Sequence, residues 1–116
     1  MSTTTETGRK AETAACVYLE MRGYKIIEKN WRRPRCEIDI IAEKNNAKYF
    51  VEVKYRKNDF QGGGLEAITA TKVRQMRYAA ESWIEETKWR GEVHLAAVEI
   101  AGDNFTVMHF IEDVLF

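Results

Sequence analysis

Asn45-Asn46 separates two stretches that alternate as strands do, and this arrangement limits the fold more than any other feature of the chain. Tyr49, Val51, Val53 and Tyr55 interleave with Phe50, Glu52, Lys54 and Arg56, a period of two that sends the two sets to opposite faces of a sheet. Residues 37–43 and 48–56 therefore read as strands. Asparagine tolerates the positive φ that a two-residue hairpin turn demands, so Asn45-Asn46 joins them directly. With that turn, Glu43 faces Lys48, Ile41 faces Phe50, Asp39 faces Glu52 and Glu37 faces Lys54.

Directly opposed side chains lie ~4.5–5.5 Å apart at Cβ, where like charges repel. Two carboxylates that close share either a proton, with one pKa raised, or a cation. Asp39 and Glu52 are such a pair, provided that no bulge or one-residue slip sends them to different faces. Lys54 follows Glu52 on the same face and would orient, or help to deprotonate, a water. Hard oxygen ligands, open coordination positions and a nearby lysine suit Mg²⁺ or Mn²⁺ acting on a phosphate ester. The competing reading is an exposed strand face with ordinary ion pairs, Glu37–Lys54 and Glu43–Lys48.

The rest of the chain supplies a frame for this hairpin. Residues 8–22 read as a helix, with Ala11, Ala15, Tyr18 and Leu19 in helical period, Thr7 as N-cap and Gly23 at the C-terminal cap. Residues 24–30 form a strand around Ile26-Ile27. Gln61-Gly62-Gly63-Gly64 is a flexible loop, and a long helix over residues 69–88 carries Val73, Met76, Ala80, Trp83 and Ile84 on one stripe. Strands over residues 92–100 and 105–111 meet at Gly102-Asp103-Asn104. The order α-β-β-β-α-β-β is that of an α/β sandwich with a central mixed five-stranded sheet and flanking helices. At 116 residues this is one domain, with residues 1–7 a frayed tail.

Glu12 shares a helix face with Ala15, Cys16 and Leu19, so the helix aims it toward its packed flank. It is either a third acid at the cation or an edge residue paired with Arg9 or Lys10.

Formal charge is zero, which argues against a uniformly basic coat but not against a basic patch. Arg22, Lys25, Lys29, Arg32, Arg33 and Arg35 crowd one segment, and Trp31 stands beside Arg32-Arg33. Lys54, Arg56 and Lys57 follow, then Lys72, Arg74 and Arg77 on the long helix, whereas Glu99, Asp103, Glu112 and Asp113 make the last part acidic. Such a basic side fits contacts to a phosphate backbone, with Trp31 stacking on a base or ribose. It also fits a strand edge protected by charge. No apolar run approaches the ~20 residues of a membrane span. The polar N-terminus lacks the pattern of a signal peptide, and Cys16 and Cys36 are isolated, which points to a reducing, cytoplasmic compartment. His94 and His109 lack metal-binding spacing and read as structural.

Gly8-Arg9-Lys10-Ala11-Glu12 on a first helix, Glu37-Ile38-Asp39, and Val51-Glu52-Val53-Lys54, followed by Ala67 and Lys72, resemble the small bacterial YraN-type family. That family is similar to the PD-(D/E)xK nuclease superfamily, close in pattern to archaeal Holliday-junction resolvases. The resemblance spans residues 8–110 and implies a restriction-endonuclease-like fold. It implies that Asp39 and Glu52 are metal ligands with the Val53 carbonyl as a backbone ligand. Lys54 would position the attacking water, Glu12 would be the supporting helix acid, and Lys72 would approach a phosphate. Two departures stand out: Cys36 replaces a usual glycine, and Val93-His94-Leu95 lacks the Asp of a common Arg-Phe-Asp pattern.

The expected function is Mg²⁺- or Mn²⁺-dependent hydrolysis of phosphodiesters in DNA, branched or otherwise structured. The nucleic acid would be met by Trp31, Arg32, Arg33, Arg35, Arg56 and Lys72, and a resolvase role would favour a homodimer. The alternatives are a non-catalytic nucleic-acid-binding module of the same fold, and a protein-interaction module whose acidic face takes a basic partner.

Overall fold

The computed structural model describes residues 5–57 and 68–114. Helix α1 spans Glu6–Met21, and strands β1 (Lys25–Arg33), β2 (Cys36–Lys44) and β3 (Ala47–Arg56) follow. Helix α2 (Ala70–Thr87) then leads to β4 (Val93–Ala101) and β5 (Thr106–Ile111). Helix α1 begins earlier than expected: Thr5, not Thr7, is the N-cap, its hydroxyl accepting from the Gly8 N–H at 3.0 Å, so Glu6 and Thr7 are helical. The Gln61–Gly64 loop and Ala67 lie outside the described residues.

The strands line up in chain order, β1-β2-β3-β4-β5. Among the described strands only β3 and β4 run parallel, which requires a crossover, and α2 lies in that connection. The other neighbours are antiparallel. This is the mixed five-stranded sheet between helices that the element order demands.

Alternation distributes the core to both faces. Tyr49, Val51, Val53 and Tyr55 of β3 meet Ala11, Ala15 and Leu19 of α1. Phe50, from the other face, packs with Ala79, Ala80 and Trp83 of α2, its ring edge-on to Trp83 at 5.5 Å. The hairpin turn forms as expected, with Asn45 and Asn46 at φ 52° and 68°. Each face of β3 is thus covered by a different helix, and the polar residues Glu52, Lys54 and Arg56 fall on the side of α2.

Candidate metal centre and adjoining cleft

Pairing of β2 with β3 follows the expected register from Lys44↔Ala47 through Glu43↔Lys48 to Ile40↔Val51. It stops one step short of Asp39 and Glu52. In place of the next ladder bond, the Asp39 carboxylate accepts the Val53 N–H at 2.8 Å. A side chain substitutes for a strand, and the two strands part at that point.

Two neighbouring irregularities accompany the fork. Ile38 and Ile41 both pack in the α2-side cluster, whereas Ile40 packs on the α1 side, so strict alternation along β2 breaks around Asp39. Across from this position, between the pairs Lys29↔Ile40 and Trp31↔Ile38, Asn30 adopts a left-handed φ of 54°. Its amide donates to Glu12 Oε1 at 3.1 Å. The kink in β1 therefore ties the half-buried helix acid to the level of Asp39.

The electrostatics follow from this crowding. Burial raises the Asp39 pKa from 3.8 to about 7; the Glu52 charge adds to the rise, the Val53 N–H opposes it, and Glu12 and Glu37 contribute further. Lys72 of α2 supplies a countercharge, with Nζ 3.0 Å from Glu52 Oε2. Burial alone would lower the Lys72 pKa, but Glu52 outweighs it, helped by Asp39 and Glu37, and the ammonium is held above its ordinary value. Lys54 is half-buried on the Glu52 side of β3 and lies opposite Glu99 of β4.

Among the described residues, no group of three or more His, Cys, Asp or Glu side chains forms a ready-made cation site. Asp39 and Glu52 nevertheless fit a hard divalent ion that keeps several waters, for which one or two protein carboxylates suffice. The Lys72 ammonium on Glu52 is a stand-in cation at this position.

The other expected residues divide sharply. Trp31 is a correction: it is 3% exposed, packed with Ile38, Phe50 and Trp83, so its ring is not offered to a base. Arg56 is another, because its guanidinium is committed to the buried Glu99 rather than to the surface. Arg33 is paired with Glu86 through an Nε–Oε2 bond of 2.8 Å, and Arg32 lies 3.5 Å from Glu37. Of the two ion pairs of the competing reading, Glu43–Lys48 forms at 3.4 Å, whereas Glu37 engages Arg32 in place of Lys54. Glu12 takes Asn30, and Lys10 pairs with Glu6 at 3.7 Å.

Arg35 and Lys72 remain close to the acids. They line a cleft of about 480 Å³ together with Glu37, Glu52, Arg74 and Tyr78. Sequence reasoning missed Asn30, whose only signal was the tolerance of asparagine for positive φ, and Tyr78, which no motif marked.

The sequence pattern of uncharacterised protein family UPF0102 matches residues 11–110, and the chain belongs to this family, the YraN-type group its motifs resemble. A UPF0102 protein of Cytophaga hutchinsonii is 42% identical over 100 residues, covering 86% of this chain and 88% of the relative. One of Shewanella loihica is 34% identical over 97 residues, with 84% and 85% covered. One of Chlorobium chlorochromatii is 35% identical over 108 residues, with 93% and 81% covered. Among solved structures, an XisH family protein from Nostoc punctiforme PCC 73102 aligns with a TM-score of 0.48 and 13% identity, over 86% of this chain and 97% of that chain.

Proposed function

We propose that this member of the UPF0102 family is a metal-dependent endonuclease that hydrolyses phosphodiester bonds in DNA, with branched or structured DNA as substrate. One observation carries the reading: the half-buried Asp39 carboxylate, its pKa pushed up to about 7 by desolvation and by the Glu52 charge, accepts the Val53 N–H at a fork where the sheet has given up a ladder bond. A fold gains no stability from gathering acids this way, and a divalent ion relieves the repulsion.

Asp39 and Glu52 would hold Mg²⁺ or Mn²⁺, with the Val53 carbonyl as a third protein ligand. When bound, the ion supplies charge stabilisation to the phosphate and makes a water more acidic. The Val53 N–H holds one oxygen of Asp39 and fixes the carboxylate's orientation. Lys54 would orient the attacking water from the Glu52 face, and Glu12, steadied by Asn30, would add negative potential from the α1 side. Lys72, once released from Glu52, would reach toward a phosphate. A homodimer and a cytoplasmic location belong to the same proposal. No described helix is long and apolar enough to cross a membrane.

The test is cleavage of labelled branched and linear DNA with Mg²⁺ or Mn²⁺, comparing the natural chain with Asp39→Asn and Lys54→Ala. Both variants should keep DNA affinity and lose cleavage. Affinity without cleavage in the natural chain, under either ion, would leave a non-catalytic nucleic-acid-binding module. The Lys72–Glu52 ion pair favours that second reading, since it already neutralises one of the acids.

A further inference from the structure

The cleft beside the acids has a composition that the hydrolytic reading does not by itself require. Its lining combines the acids Glu37 and Glu52 with the cations Arg35, Lys72 and Arg74 and the ring of Tyr78. Tyr78 is 50% exposed, one of the few large rings on the surface. Among the described residues its ring packs against no other ring, in contrast to Tyr24, Tyr49 and Tyr55, which each contact another aromatic. An aromatic ring left half in water keeps apolar surface that a stacking ligand would cover.

Position and charge indicate the ligand. Arg74 and Tyr78 are one turn apart on the outer flank of α2, about 6 Å along the axis, which is roughly one extended nucleotide. Arg74 is steadied within this flank by its bond to Thr71 Oγ1 at 3.0 Å. Arg35, in the turn just before β2, also lines the cleft and is exposed. Cations lining one cleft with an exposed aromatic ring suit unpaired nucleic acid, because stacking needs a base that is not already stacked in a duplex. Trp31, the aromatic that the sequence put forward for this task, is buried and cannot perform it.

We infer that the cleft between α2 and the start of β2 binds an unpaired nucleic-acid strand, with Arg74 and Arg35 on its phosphates and one base stacked on Tyr78. The inference rests on the proposed nuclease reading and narrows it: the substrate must present unpaired nucleotides next to the cut, as a flap, gap or junction does. An acidic protein segment would meet the same cations but has no base to place on Tyr78.

The experiment measures binding of a fluorescent oligothymidylate and of a duplex of equal length to the full chain in EDTA, so that cutting does not intervene. Tyr78→Ala should weaken the single strand by roughly 5- to 30-fold and leave the duplex nearly unchanged, whereas Tyr78→Phe and Tyr78→Trp should bind as the natural chain does. Arg74→Ala should reduce the salt slope of single-strand binding by about 0.7. A 2-aminopurine placed in the strand should be quenched by the natural chain and not by Tyr78→Ala. Because Tyr78 is on the surface, circular dichroism should report an unchanged fold in each variant. Equal single-strand affinity of Tyr78→Ala and the natural chain overturns the inference, as does displacement of the strand by polyglutamate with no dependence on Tyr78. Metal-dependent cutting that persists alongside either result would leave the nuclease reading intact. Tyr78-dependent strand binding in a chain that shows no cleavage under either ion would support the cleft and remove the nuclease.

Discussion

Replacing Asp39 by asparagine should stabilise the metal-free protein at neutral and alkaline pH while abolishing its response to divalent cations. The sign follows from the direction of the pKa shift. Folding moves the Asp39 carboxyl from 3.8 up to about 7, through burial first and the Glu52 charge second. Between those values the folded chain keeps a proton that the unfolded chain has released, so stability falls as pH climbs through this window. Above about pH 7 the whole penalty is in force. Each pKa unit corresponds to 1.36 kcal/mol, which sets the penalty at no more than ~4 kcal/mol. Asparagine has nearly the same shape, and its carbonyl oxygen can still accept the Val53 N–H that Asp39 accepts at 2.8 Å. The substitution therefore removes the charge and keeps the bond.

Even half of that penalty would raise the melting temperature by roughly 8 °C in a domain of this size. Thermal melts followed by circular dichroism in EDTA, from about pH 5 to 9, read the effect as a difference between two pH profiles. Groups such as His94 titrate in both proteins and cancel in that difference. Excess Mg²⁺ should then restore the natural chain by about 2.7 kcal/mol at a hundredfold excess over Kd, and leave the variant where it was. The reasoning is refuted if Asp39→Asn melts below the natural chain at about pH 8 in EDTA, or if both proteins gain equally from the ion.

Other consequences can be checked in the same way. Lys72→Met removes the ammonium that competes for Glu52, so calorimetry with Mn²⁺ should show affinity rising roughly tenfold while the ion-free protein melts lower. Phe50→Ala, at a ring 2% exposed against Trp83, should lower unfolding free energy by about 3–5 kcal/mol in urea titrations. His94 lies between Asp113 Oδ1 at 2.6 Å and Glu92 Oε2 at 2.5 Å. Burial lowers its pKa but these acids outweigh that and raise it, so its contribution is complete below the unfolded value of ~6.5 and is lost as pH rises through the folded one. His94→Gln should therefore lower the melting temperature at acidic pH and converge with the natural chain at alkaline pH.

The hairpin was legible because its evidence is local. Alternation from Tyr49 to Arg56 and an asparagine pair at the turn determine register without reference to anything distant, and the ladder keeps that register as far as Ile40↔Val51. What lies beyond was not legible, because it depends on how three elements meet. Nothing within β2 announces that Asp39 will leave the ladder to accept the Val53 N–H. That outcome also involves a left-handed Asn30 on β1 and a helix acid that reaches it. The errors over Trp31 and Arg56 have one cause: in sequence both belong to basic runs, yet β-strand alternation sends each to the α2 side, toward Phe50 or toward Glu99. A run of cations along a strand is therefore divided between two faces, and only one of them can meet a phosphate. On helix α2 the same reasoning reverses the outcome. Its apolar stripe of Val73, Met76, Ala80 and Trp83 is buried against the sheet, so residues on the opposite flank must face outward. Arg74 and Tyr78 fall on that flank, and the same helix aims Lys72 back at Glu52. One helix thus presents a countercharge to the acids on one side and a cationic, aromatic face to solvent on the other, and both line the cleft that Glu52 also lines.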